Sequence, residues 1–119
     1  MYDSPRVRRV RFYKSETGNP VAREEFFALE EEGQAALGDL FRRYEHGLEN
    51  RGEIKAVGKG LLEFRTHVRN NPYRAYFFQD GPKYVIVTLC VYKNQEKARK
   101  SDLDLARQRM DAWRKRGGK

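Results

Sequence analysis

At 119 residues, with 39% hydrophobic and 35% charged residues, the chain is one domain long, enough to bury roughly two-thirds of its unfolded surface and fold without covalent staples. Its single cysteine, Cys90, excludes a disulfide within the chain, its two histidines, His46 and His67, lie too far apart for a recognisable zinc-ligand spacing, and no apolar run approaches the ~18 residues of a membrane span. The net charge of +8 is segregated, residues 16–50 holding three Lys/Arg against nine Asp/Glu while residues 51–100 hold eleven against four, and a segregated basic surface is the electrostatic footprint of a polyanion such as nucleic acid.

The basic opening, broken by Pro5, carries no signal-peptide pattern, so a soluble cytoplasmic protein is expected. Val7–Tyr13 alternates imperfectly and reads as an edge strand. Asn19-Pro20 reads as a helix start, with Asn capping and Pro in the first turn. The helix Val21–Glu32 places Ala22, Phe26 and Leu29 on one face and Glu24, Glu25, Glu30, Glu31 and Glu32 elsewhere, either as a solvated face or as a partner contact. Gly33 is expected to interrupt. A second helix, Gln34 to Glu49, carries the stripe Leu37, Leu40, Phe41, Tyr44 and Leu48, with His46 off it, and ends at Asn50-Arg51-Gly52.

Glu53–Gly60 reads as a glycine-flanked loop in which Lys55 and Lys59 are candidate phosphate contacts. Leu62 to Arg69 alternates, with Leu62, Phe64, Thr66 and Val68 on one face and Glu63, Arg65, His67 and Arg69 on the other, as a half-buried strand does. Asn70-Asn71-Pro72 and Asp80-Gly81-Pro82 supply turns around a strand from Tyr73 to Gln79. Tyr84–Tyr92 is continuously apolar and β-branched, the pattern of a central strand covered on both faces, which makes Cys90 a small buried hydrophobe. The apolar run stops at Lys93-Asn94-Gln95-Glu96-Lys97. A last helix starts at Ser101, with Asp104 completing a capping box. Leu103, Ala106, Met110 and Trp113 form its docking face, and Arg107, Arg109, Arg114, Lys115 and Arg116 line its outside. Residues 1–119 thus form a single α+β domain, β-α-α-β-β-β-α, with an antiparallel sheet packed by a helical hairpin and a C-terminal helix, and with flexible ends at 1–6 and 117–119.

Three pieces in this order, Gly60-Leu61-Leu62-Glu63-Phe64-Arg65, Tyr73-Arg74-Ala75-Tyr76-Phe77-Phe78 and Lys93-Asn94-Gln95-Glu96-Lys97, resemble the RelE/HigB-like toxins of bacterial and phage toxin–antitoxin modules. The resemblance spans about Val7 to Arg116. It implies a RelE-like fold and a ribosome-dependent mRNA endonuclease, neutralised by a cognate antitoxin of helix-turn-helix type in a hetero-oligomer, with mRNA and the ribosome as further partners and no membrane. Such cleavage uses the RNA's own 2′-OH as nucleophile and needs no metal or cofactor; the protein aligns the nucleophile, moves protons and stabilises negative charge.

Carried over by residue, Arg74 matches the family's transition-state arginine and Arg65 the arginine of its L-x-E-[LF]-R piece. Arg65 either clamps phosphate bidentately or forms a salt bridge with Glu63 or a neighbouring acid. Lys93 and Gln95 are expected to hold the scissile nucleotide, with Lys97, Arg69, Lys55 and Lys59 on flanking phosphates. The chain has no His or Tyr after Tyr92, where some relatives keep a general acid or base. His67, on the face of Arg65, is the substitute for proton transfer, against the reading of an ordinary surface histidine. Tyr73, Tyr76 and Tyr92 are candidates for stacking on a base or for the core. Two other readings share the pattern: a ParE-like gyrase inhibitor without nuclease chemistry, and a non-toxic phage-derived module that binds nucleic acid or protein.

Overall fold

A computed structural model describes residues 4–92 and 99–118. Five strands and three helices follow in the order β1 (Arg9–Phe12), α1 (Val21–Ala28), α2 (Glu31–Glu45), β2 (Ile54–Gly58), β3 (Leu61–Val68), β4 (Asn71–Asp80), β5 (Tyr84–Tyr92) and α3 (Lys100–Lys115). The strands form one sheet in the order β1-β5-β4-β3-β2. The longest apolar runs, β4 and β5, lie inside it and bury both faces, as their lack of alternation requires.

One face packs on the helical hairpin, where Leu37, Leu40, Phe41 and Tyr44 of α2 meet Phe64, Phe77 and Val87. Phe64 and Phe77, whose ring centroids are 3.9 Å apart, stack at its centre. The other face takes α3, with Ala106 and Met110 against Leu61, Tyr76, Ile86 and Leu89. The α+β class and the hairpin-on-sheet arrangement are therefore as expected. No helix among the described residues is long and apolar enough to cross a membrane.

Two features of the sheet correct the expectation. The Glu53–Gly60 segment is not a loop: Ile54–Gly58 is an edge strand, antiparallel to β3. With only Ile54 and Val57 turned inward it carries too short an apolar pattern to read as a strand, and pairing with β3 creates it. Nor is the sheet wholly antiparallel, because β1 pairs with β5 in parallel. The hairpin carries the chain to the far edge, and three reversals from β2 then bring β5 beside β1 in the same sense. β1 pairs only with the first half of β5, and α1 covers the rest. There Arg109 of α3, expected outside, is largely buried, its Nη1 donating to Glu25 Oε1 at 2.7 Å and to the Thr88 carbonyl at 2.8 Å.

Several boundaries also move. α1 ends at Ala28 because Leu29 and Glu30 are extended, and Gln34 Nε2 donates to the orphaned carbonyls of Phe27 and Leu29. α2 stops at Gly47, φ +70°, where the Leu48 amide donates back to the Arg43 carbonyl at 2.7 Å. Leu48 is consequently outside the stripe and 47% exposed. Neither Asn19 nor the Ser101–Asp104 pair caps a helix by its side chain; Pro20 and Arg99 hold the N-cap positions. Asn71 and Pro72 belong to β4, and the turn before it falls on Arg69, at φ +56°, and Asn70.

Gly33 lies inside the first turn of α2 and does not break the helix. A Cβ there would sit 2.3 Å from Cε1 of the buried Tyr73 ring, so glycine lets α2 approach β4. Gly33→Ala is expected to destabilise by about 1–3 kcal/mol, overpacking outweighing the gain in helix propensity. Gly38→Ala, whose Cβ meets only Phe26 at an ordinary 3.8 Å, should stabilise by roughly 0.5–1 kcal/mol. Urea unfolding of both variants checks the opposite signs.

Glu53, just before β2, is forked by Arg43 at 2.7 and 2.8 Å and accepts the Asn50 amide. Arg43 holds its carboxyl below the ordinary value of 4.5. A depressed folded pKa contributes stability above the unfolded value and loses it as pH falls through the folded one. Stability should therefore decline below about pH 4.5, less steeply in Glu53→Gln, which also starts lower at neutral pH; thermal melts across that range test both.

Candidate active site

Antiparallel register puts Arg65 of β3 directly opposite Arg74 of β4, and Glu63 opposite Tyr76. Directly opposed residues share a face, here the α3 face, since Tyr76 and Leu61 belong to its core. Glu63 sits between the two arginines. Its Oε1 is 3.2 Å from Arg65 Nε and its Oε2 is 3.7 Å from Arg74 Nη1, with side-chain exposures of 3% for Glu63, 34% for Arg65 and 5% for Arg74. A carboxylate this buried requires compensating charge, and the two guanidiniums supply it. The salt-bridge reading of Arg65 is thus realised, and its guanidinium remains the solvent-facing member of the cluster.

The Tyr76 hydroxyl is also buried here, close enough to Glu63 and Arg74 to feel both charges without a well-formed hydrogen bond. Burial first, then the Glu63 charge, pushes its pKa up to about 12 against the opposing pull of Arg74. Tyr76 therefore stays protonated at neutral pH. Tyr76 and Tyr73 are core residues and offer no ring to a base, and Tyr92, 50% exposed at the end of β5, opposes Tyr73 on the hairpin face, its ring centroid 5.3 Å from that of Tyr73, so it is not brought to the cluster.

The remaining sequence-derived candidates separate clearly. Lys55 is exposed on β2 opposite Glu63, hence beside the cluster. His67 is exposed two positions beyond Arg65 on the same face, opposite Pro72. Lys59 stands at the β2–β3 turn. Arg69 is not brought to the cluster: its Nη2 pairs with Glu32 of α2 at 3.0 Å, toward the opposite face. Lys93, Gln95 and Lys97 lie outside the described residues. His46 is remote, its Nδ1 bonded to the Ser4 carbonyl at 2.7 Å. Cys90 is buried, and burial pushes its thiol well up, as suits an inert core residue.

Sequence reasoning had Glu63 only as the salt-bridge alternative for Arg65, and it did not see that Glu63 also reaches Arg74 or that Tyr76 lies beside them. The available signal was Glu63 itself, an acid in a stretch otherwise dominated by cations, on the same alternating face as Arg65.

A five-stranded sheet between a helical hairpin and a C-terminal helix, with arginines paired across adjacent strands of its α3 face, defines the RelE-like class of α+β proteins. Within it, the chain belongs to the family described as phage derived protein Gp49-like (DUF891), whose model matches residues 24–111. It is 37% identical over 107 residues to proteins named probable endoribonuclease HigB1 in two strains of Mycobacterium tuberculosis, CDC 1551 / Oshkosh and ATCC 25618 / H37Rv; each match covers 90% of this chain and 85% of the relative. The resemblance read from the three sequence pieces is borne out.

Proposed function

We propose that this chain is the toxin of a toxin–antitoxin pair and acts as an endoribonuclease on mRNA at the ribosome, in the cytoplasm, held in check by an antitoxin of helix-turn-helix type. The observation that carries the reading is the Arg65–Glu63–Arg74 cluster, in a chain that resembles the HigB1 endoribonucleases over most of its length.

The chemistry needs few groups. The 2′-oxygen attacks the adjacent phosphorus, the bond from phosphorus to the 5′-oxygen breaks, and the products are a 2′,3′-cyclic phosphate and a 5′-hydroxyl. One proton leaves the 2′-OH and one reaches the departing 5′-oxygen. Arg65 meets the phosphate first, being the exposed arginine, and a planar fork suits two phosphate oxygens. As Arg65 moves off Glu63, Arg74 is presented to the charge that builds up on the pentacoordinate phosphorus, in a site where burial strengthens the interaction. His67 lies about 7 Å along the strand from Arg65, two residues at 3.3 Å each, and is the proton-transfer group of this reading. Lys93 and Gln95 hold the scissile nucleotide, while Lys55, Lys59 and Lys97 contact flanking phosphates; Arg69, paired with Glu32 toward the opposite face, has no part in this reading.

Induction of the wild type and of Arg74→Ala in cells lacking the antitoxin, with growth followed and mRNA 5′ ends mapped, tests this function. Growth arrest with new codon-phased ends, both lost in Arg74→Ala, is expected. Arrest without new ends would transfer the protein to the gyrase-inhibitor class, and no arrest would leave a non-toxic binding module.

A further inference from the structure

The β2–β3 hairpin turns through Gly58, Lys59 and Gly60, all with left-handed backbone, at φ +99°, +58° and +87°. Glycine is needed at both flanks, since a side chain there is strained, and the turn leaves Lys59 exposed at its apex. Two guanidiniums from α3 lean against it. Arg107 Nη2 lies 3.5 Å from where a Cβ on Gly58 would stand, and Arg114 Nη2 lies 3.4 Å from that of Gly60.

Arg107 is oriented by donating from Nη2 to the Val57 carbonyl at 2.7 Å, while its buried Nε has no acceptor. Arg114 stacks over the Phe78 ring at 5.1 Å. Among the described residues neither guanidinium forms an ion pair. The cleft beside the turn, about 550 Å³, is lined by Lys59, Arg107, Arg114 and Lys115 against Asp104 and Asp111, and Asp104 is already paired with Lys100 at 3.6 Å. Four cations thus face two carboxylates, Asp104 and Asp111, around a backbone turn whose flanking glycines carry no side chains and leave room for the two guanidiniums.

We propose that the Gly58-Lys59-Gly60 turn, with Arg107 and Arg114, is a second phosphodiester-binding subsite that holds single-stranded RNA to one side of the nucleotides at Arg65 and Arg74. The inference rests on the RNA reading above and adds the path of the substrate. β3 joins the two places: Gly58 pairs with Leu61, and Arg65 lies four residues further along, about 13 Å at 3.3 Å per strand residue. Exposed Lys55, opposite Glu63, stands between them. The RNA backbone therefore follows β3 from the arginine cluster to the hairpin tip.

Fluorescence anisotropy over a KCl series, with 2′-O-methyl RNA that lacks the attacking hydroxyl, tests the subsite. The probes are a uridine dinucleotide and an oligouridylate long enough to reach the turn. The wild type should bind the longer RNA about tenfold more tightly, and Lys59→Ala with Arg114→Ala should abolish that preference. Its slope of log affinity against log salt should fall by about 1.4, each single-strand phosphate contact contributing ~0.7. Lys59→Arg with Arg114→Lys, which retains both charges, should keep the preference. A double alanine variant with the wild-type preference and slope overturns the subsite. A wild type that binds both RNAs equally overturns the subsite alone, whereas one that binds neither overturns it together with the RNA reading.

Discussion

Glu63→Ala is expected to lower the unfolding free energy by about 3 kcal/mol or more, the largest stability effect of any change in the arginine cluster. Removing the carboxylate takes from Arg74, only 4% exposed, the charge 3.7 Å from its Nη1, and stripping a buried guanidinium of a compensating carboxylate costs more than the pair contributes. The reverse deletions are milder. Arg65→Ala leaves Glu63 beside Arg74, and Arg74→Ala leaves it beside Arg65 at 3.2 Å. The expected order of destabilisation is Glu63→Ala, then Arg74→Ala, then Arg65→Ala, read from urea midpoints. A Glu63→Ala variant as stable as the wild type would mean that the carboxylate does not balance the buried guanidinium.

Arg74→Lys carries the largest expected effect on activity, a loss of about 10²-fold or more in cleavage rate with little loss of stability, because it retains a cation beside Glu63 and removes the planar fork. An ammonium on a flexible stem cannot hold the carboxylate and two phosphate oxygens in one plane. Single-turnover cleavage of mRNA on programmed ribosomes, alongside a thermal melt, separates the two quantities. Full activity in Arg74→Lys would assign this position a charge-balancing role and move the chemistry to Arg65.

The cluster also explains why two arginines tolerate each other across adjacent strands. Like charges directly opposite are unfavourable, and Arg65 and Arg74 are directly opposite. Glu63 relieves the repulsion from two register positions away, on the same face. The arrangement leaves a net positive, partly buried site whose exposed member is available to an anion.

The sequence by itself determined the elements with strong local patterns. The unbroken apolar run of β5 required a strand covered on both faces, the stripe from Leu37 to Tyr44 required a helix against the sheet, and the alternation from Leu62 to Val68 set Glu63, Arg65 and His67 on one face. It also named both arginines of the cluster, because each lies in a short piece of the family's pattern that can be read locally along the chain. Everything that depends on contacts distant in sequence was decided by the tertiary structure. β2 exists only because β3 pairs with it, and the parallel β1–β5 contact follows from the path of the chain around the hairpin. Gly33 is a site of close approach because Tyr73, forty residues later, lies against it. Arg69 was separated from the cluster by Glu32 and Arg109 was buried by Glu25, since a charged side chain takes the nearest compensating partner in space whatever face its local pattern assigns it. For the same reason Glu63 became the centre of the candidate site: its own strand offers it only Arg65, and β4 places a second arginine within its reach.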